Sequence, residues 1–107
     1  MSGDRLDLGN DHYATFTAWA PDRDLNPQYK DLPDVEHWGA IIEHPDKRDP
    51  SRLCTSGITF DGEVQRKMTP AAHLWTLVSL EPLHTEPSLL CICGDHGFIR
   101  EGRWVPA

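Results

Sequence analysis

The stretch Ser88 to Val105, SLLCICGDHGFIREGRWV, places two cysteines, a histidine and three glycines within eighteen residues. It constrains the fold more than any other part of the chain, because thiols and imidazole so close together have few stable uses besides gripping a metal. The stretch reads as a strand delivering Cys91 and Cys93, a knuckle at Gly94-Asp95 presenting His96, and a closing hairpin from Phe98 to Val105 around Glu101-Gly102. Cys93-x-x-His96 has the spacing of a zinc knuckle, in which a glycine lets the backbone turn so that a thiolate and an imidazole converge on one ion. Cys91 lies two residues earlier on the same strand face, so both sulfurs are expected to point the same way.

A structural zinc takes four protein ligands. Cys54 is the natural fourth, which gives a predicted metal set of Cys54, Cys91, Cys93 and His96, with His44 as a substitute for Cys91 or Cys54. The competing reading makes Cys91 a buried core thiol and His96 a satisfied turn histidine. A disulfide framework is a poor fit to three cysteines, an odd count, in a chain with no mark of secretion.

A staple of this kind suits the composition. The 107 residues correspond to one domain, the apolar fraction is only 38%, and there are eight glycines and nine prolines. A thin core with many turns predicts a mainly β fold, a small antiparallel barrel or sandwich with hairpins and long loops, stapled by a structural zinc. The N-terminal MSGDRLDLG has neither a basic n-region nor an apolar h-region, and no run is long enough to span a membrane. The expectation is a protein of the bacterial cytoplasm without membrane contact, or alternatively a virion component.

The net charge is −7, and the acid is concentrated toward the N-terminus: residues 1–53 hold eleven acids against six bases. Nucleic-acid binding needs a Lys/Arg footprint, so no nucleic acid is expected. An acidic surface instead suits a basic protein partner, although acidic loops also serve solubility alone. Trp19, Trp38, Trp75 and Trp104 lack flanking cations and read as core residues rather than a base-stacking platform.

Along the chain, residues 1–12 read as a flexible N-terminal arm and 13–107 as a single β-rich zinc-binding domain. Tyr13 to Trp19 and His37 to Glu43 are strands, separated by a long Pro21–Pro33 loop with one helical turn near Gln28 to Leu32. Asp61-Gly62 sits between short runs of β-type residues and predicts a hairpin over Ser56 to Arg66. His73 to Leu80 is the most apolar strand, Glu81 to Pro87 a turn between prolines, and Ser88 to Cys93 the next strand.

Catalysis would need an open coordination position and a base such as Asp95 or Glu81. Four protein ligands leave no such position, and neither an HExxH nor a His-x-Glu pattern accompanies the cysteines. The segments HPDKRDPSRLCTSGITFDGEV, WTLVSLEPL and PSLLCICGDHGFIREGRWV resemble a family of small proteins of unknown function frequent in actinobacteriophages and their hosts. The likeness covers about residues 36 to 107. Some members are described as ammonia monooxygenase, a membrane-bound metal oxidase that a chain without a span does not match. Distant members carry a cysteine-rich turn in the region of Cys54 and a Cys-x-x-His before a hairpin, which implies zinc binding through Cys93 and His96. The resulting expectation is a protein-interaction module, a phage-encoded accessory or host-directed factor. A minor capsid or tail component and a small zinc hydrolase are the alternatives.

Overall fold

The computed structural model describes residues 5–107, and among them the chain is built mainly of antiparallel strands. The first sheet has the order β1-β2-β3-β4, formed by Arg5–Gly9, His12–Trp19, Val35–Pro45 and Leu53–Thr59. The second pairs β5 (Thr76–Leu80) with β6 (Leu83–Glu86), and the third has the order β7-β8-β9 from Leu89–Leu90, His96–Arg100 and Arg103–Pro106. One short helix, α1 (Glu63–Met68), follows β4. The fold is thus all-β in character, with open sheets rather than a closed barrel.

Alternation explains the strands that sequence reading finds. In β2, His12 and Ala14 turn inward, and in β3 Ala40, Ile42 and His44 do so, the two-residue period of a half-buried strand. In the last hairpin Gly97 and Ile99 face the core while His96, Phe98 and Arg100 take the other side. That hairpin turns at Glu101-Gly102, where both residues have positive φ, as a primed two-residue turn requires.

Four expectations are corrected. Residues 5–9 of the supposed arm form β1, because Asn10 and Asp11 both adopt positive φ and fold Arg5–Gly9 back onto β2; residues 1–4 lie outside the described residues. Asp61-Gly62 does not close a hairpin, since Gly62 is extended (φ −169°) and the run Glu63–Met68 is rich in strong helix formers. An Arg66–Asp61 pair at 3.1 Å and a Lys67–Glu63 pair at 3.4 Å lie along that helix. Glu81 to Pro87 is not merely a turn, because Leu83–Glu86 fits between its two prolines as a strand burying Leu83 and Thr85. The strand expected over Ser88 to Cys93 stops at Leu90, and the cysteines lie beyond it in a turn.

The core draws on all three sheets: Leu8, Ala14, Ala40, Ile42, Ile58, Phe60, Leu83, Leu89, Ile99 and Trp104. Trp75 packs against it, while Trp19 and Trp38 stack on each other at 5.6 Å and Tyr29 closes on Trp19 edge-on at 5.4 Å. This aromatic pile holds the Pro21–Pro33 loop, whose short 3-10 turn is Pro27–Tyr29. Ile99 is 0% exposed at the centre of the third sheet. Ile99→Ala should destabilise the fold by about 2–5 kcal/mol, read as a fall in Tm of roughly 10 °C or more in a thermal scan.

Candidate metal centre

Two turns distant in sequence meet beside this core. The first is the β3–β4 connection, where Asp46 N–H donates to the Arg52 carbonyl (2.9 Å) and closes the charged loop. Pairing then runs outward, so Pro45 faces Leu53 and His44 faces Cys54. The Asp46 carboxylate fastens the loop by accepting from the Arg48 backbone (2.7 Å) and guanidinium (2.9 Å), which hold its pKa down at about 2.

The second turn is Cys91 to Asp95. Cys91 N–H donates to the Asp95 carbonyl (2.8 Å) and Gly94 N–H to the Cys91 carbonyl (2.9 Å), closing a knuckle between β7 and β8. Gly94 sits at φ +96°, a conformation that side chains disfavour. The knuckle, rather than a shared strand face, is what brings both sulfurs inward: Cys91 and Cys93 are buried, and the intervening Ile92 is 87% exposed.

Cys54, Cys91, Cys93 and His44 each offer one ligand atom, and the four atoms lie within 4.8 Å of one another. Cys54 Sγ and Cys91 Sγ are 3.4 Å apart. Two sulfurs on one tetrahedral ion stand about 3.8 Å apart, given metal–sulfur bonds of about 2.3 Å, so small side-chain rotations suffice to admit it. His44 supplies the strongest sign of fit. Its ring is 2% exposed, Nδ1 donates to the Pro45 carbonyl at 3.0 Å, and the buried Nε2 has no hydrogen-bond partner among the described residues. An orphaned imidazole nitrogen costs about 1–3 kcal/mol unless something occupies it, and it belongs to a residue grouped with three thiols.

His96 is not brought to this cluster. It opens β8 on the outward-facing side, is exposed, and its Nε2 meets Ser88 Oγ at 3.0 Å. The imidazole of the set comes instead from His44. Another histidine, His12, which the sequence reading does not single out, is also buried, with Nε2 2.5 Å from Asp95 Oδ2. Asp95 Oδ2 in turn lies 3.5 Å from His44 Nδ1.

The thiols already share charge. Burial raises the Cys91 pKa, but hydrogen bonds from the Ser56 hydroxyl, the Cys93 backbone and the neighbouring thiols outweigh it and bring Cys91 down to about 6. Cys54, which hydrogen-bonds to Cys91 and is partly desolvated, is pushed up to about 12. The Arg48 guanidinium, paired first with Asp46, also lies near Cys54 and Cys93, and these neighbours raise its own pKa. At neutral pH the metal-free cluster therefore keeps the Cys54 proton, and a metal must displace it. Calorimetric titrations in buffers of different ionisation enthalpy should show at least one proton released per metal bound. Apparent affinity should fall as pH is lowered, most steeply below about 6, where Cys91 also protonates.

Fold and cluster together define a small antiparallel β protein with a buried His/Cys3 set of donors at metal-binding distance. Comparison with protein-family models, with curated proteins and with solved structures gives no match. No helix among the described residues is long and apolar enough to cross a membrane.

Proposed function

We propose that the ion is a structural zinc held by His44, Cys54, Cys91 and Cys93, and that the stapled domain works as a protein-interaction module. The orphaned Nε2 of His44 beside three thiols carries the first half of this reading. Soft thiolates with one imidazole suit zinc, whereas calcium and magnesium take oxygen donors. Four protein donors complete a tetrahedral shell without a place for an activated water, which favours a structural over a hydrolytic role.

The interaction half is supported by the Pro21–Pro33 loop, which is held in shape yet exposes an apolar tip. Arg23 donates to the Leu32 carbonyl (2.6 Å) and pairs with Asp34 (2.8 Å), while Asp22 Oδ1 accepts from the Asp24 and Leu25 amides (3.0 and 3.2 Å). Leu25 is 79% exposed in a loop that also carries Asp22, Asp24 and Asp31. An ordered apolar side chain on an acidic loop suits a partner with an apolar pocket and a basic rim. The resemblance to actinobacteriophage proteins makes a host protein the proposed target, with the chain acting as a phage-encoded accessory factor. Tagged protein should retain one actinobacterial host protein from lysate, and Leu25→Glu should abolish its capture without changing the melting temperature. Recovery of the chain in purified virions, with Leu25→Glu having no effect on capture, would contradict the host-directed reading and favour a capsid or tail role.

A further inference from the structure

The trio His12, His44 and Asp95 offers a second group of potential metal donors next to the first. Its geometry argues against a second ion. His12 Nε2 and Asp95 Oδ2 are only 2.5 Å apart, whereas two donors on one tetrahedral ion, each bonded at about 2.0–2.1 Å, stand roughly 3.4 Å apart. The contact is a short hydrogen bond in which the ring N–H donates to the carboxylate.

The contacts then form a chain. The Asn10 carbonyl lies 2.6 Å from His12 Nδ1, His12 Nε2 donates to Asp95, and the same Asp95 oxygen stands 3.5 Å from His44 Nδ1. His12 stacks with two rings, Trp104 at 4.2 Å and His44 at 5.1 Å, both nearly parallel to it. Asn10 Nδ2 adds a bond to the Trp104 carbonyl at 2.9 Å. His12 and Asp95 are themselves buried, so this arrangement is internal architecture rather than surface decoration.

We infer that His12 and Asp95 are positioning residues for the metal, acting through His44. Two oxygen acceptors, the Pro45 carbonyl and the Asp95 carboxylate, face the Nδ1 side of His44. They fix the proton on Nδ1 and leave the Nε2 lone pair free for the ion, the outer-shell role that carboxylates commonly play behind metal-bound histidine. His12 holds the Asp95 carboxylate in place from across 83 residues of sequence. Loading the metal is thereby coupled to docking of the β1–β2 hairpin against the knuckle and β9.

The inference rests on the metal reading above, and cobalt titration of the full chain separates the two. Wild type should bind one equivalent of Co²⁺ with thiolate-to-metal charge-transfer absorption. Asp95→Asn and His12→Gln should keep that absorption, since the three thiols remain, while affinity falls about 10–100-fold and the ligand-field bands shift. Ile99→Ala, a purely structural control, should lower Tm and leave the bands where they are. Nitrogen-15 NMR of the zinc-loaded wild type should show His44 protonated at Nδ1 and metal-bound at Nε2. If wild type shows the thiolate bands but both variants match it in affinity and spectrum, the positioning role is wrong while the metal reading stands. A second bound equivalent that Asp95→Asn removes would also overturn it, in favour of a second ion. Absence of thiolate bands in wild type would remove the metal reading and this inference together.

Discussion

A strong chelator should unfold this protein rather than merely empty a site. Structural zinc in small domains contributes apparent binding energies of about 10–16 kcal/mol at neutral pH, as large as the whole ~5–15 kcal/mol stability of a typical domain. The core of this chain is modest: ten residues make up the buried apolar cluster, and two of them are alanines. Without the ion, three thiols and an imidazole are left packed together with a buried nitrogen unsatisfied. The expected result is loss of the cooperative melting transition, or a drop in Tm of more than about 20 °C, on adding chelator at 25 °C. Readdition of zinc under reducing conditions should restore it. Circular dichroism through one such cycle checks both halves, and a melt indifferent to chelator would show that the apolar core carries the fold unaided.

The second large effect separates two histidines. His44→Ala should weaken metal binding by far more than the about 10–100-fold typical of outer-shell changes, because it removes a ligand and opens a cavity where a fully buried ring stood. His96→Ala should leave affinity within a few-fold of wild type, since His96 is exposed and the one hydrogen bond of its ring among the described residues goes to Ser88. Competition titrations against a chromophoric zinc chelator read both variants on one scale. Equal losses, or a larger loss at His96, would mean that the knuckle rearranges on metal binding to recruit the Cys93-x-x-His96 pair.

These two histidines also show how far the sequence can be read. The three cysteines are recognisable by type alone, and Cys54, Cys91 and Cys93 do converge. Cys-x-x-His read as a local unit points to His96, but the chain resumes strand pairing at residue 96, with His96 facing Leu90 across the ladder, and parity turns its ring outward. His44 enters the sequence reading only as a substitute for Cys91 or Cys54, although strand register points to it directly. With Asp46 and Arg52 closing the charged loop, pairs read outward place Pro45 against Leu53 and His44 against Cys54. Nothing local marks His12, whose partner Asp95 is 83 residues away and whose role exists only once the sheets have packed.

The same distinction holds for the fold. The strands read over Tyr13–Trp19 and His37–Glu43 lie within β2 and the longer β3, Val35–Pro45, and the hairpin at Glu101-Gly102 is also legible. The N-terminal hairpin escapes the sequence reading because Asn10-Asp11 signals a primed turn less clearly than Asn-Gly, and β1 offers only the short alternation Arg5-Leu6-Asp7-Leu8. Around Asp61-Gly62 the turn signal was overridden by the helix-forming run behind it, whose Val64 and Gln65 are buried.

The central claim, one ion gripped by three sulfurs and a single imidazole, is tested most directly by zinc-edge X-ray absorption on protein purified under reducing conditions, with elemental analysis of the same sample. The account predicts one zinc per chain, with three sulfur neighbours at about 2.3 Å and one nitrogen at about 2.0–2.1 Å. A substoichiometric metal content, or a shell of nitrogen and oxygen without sulfur, would contradict it.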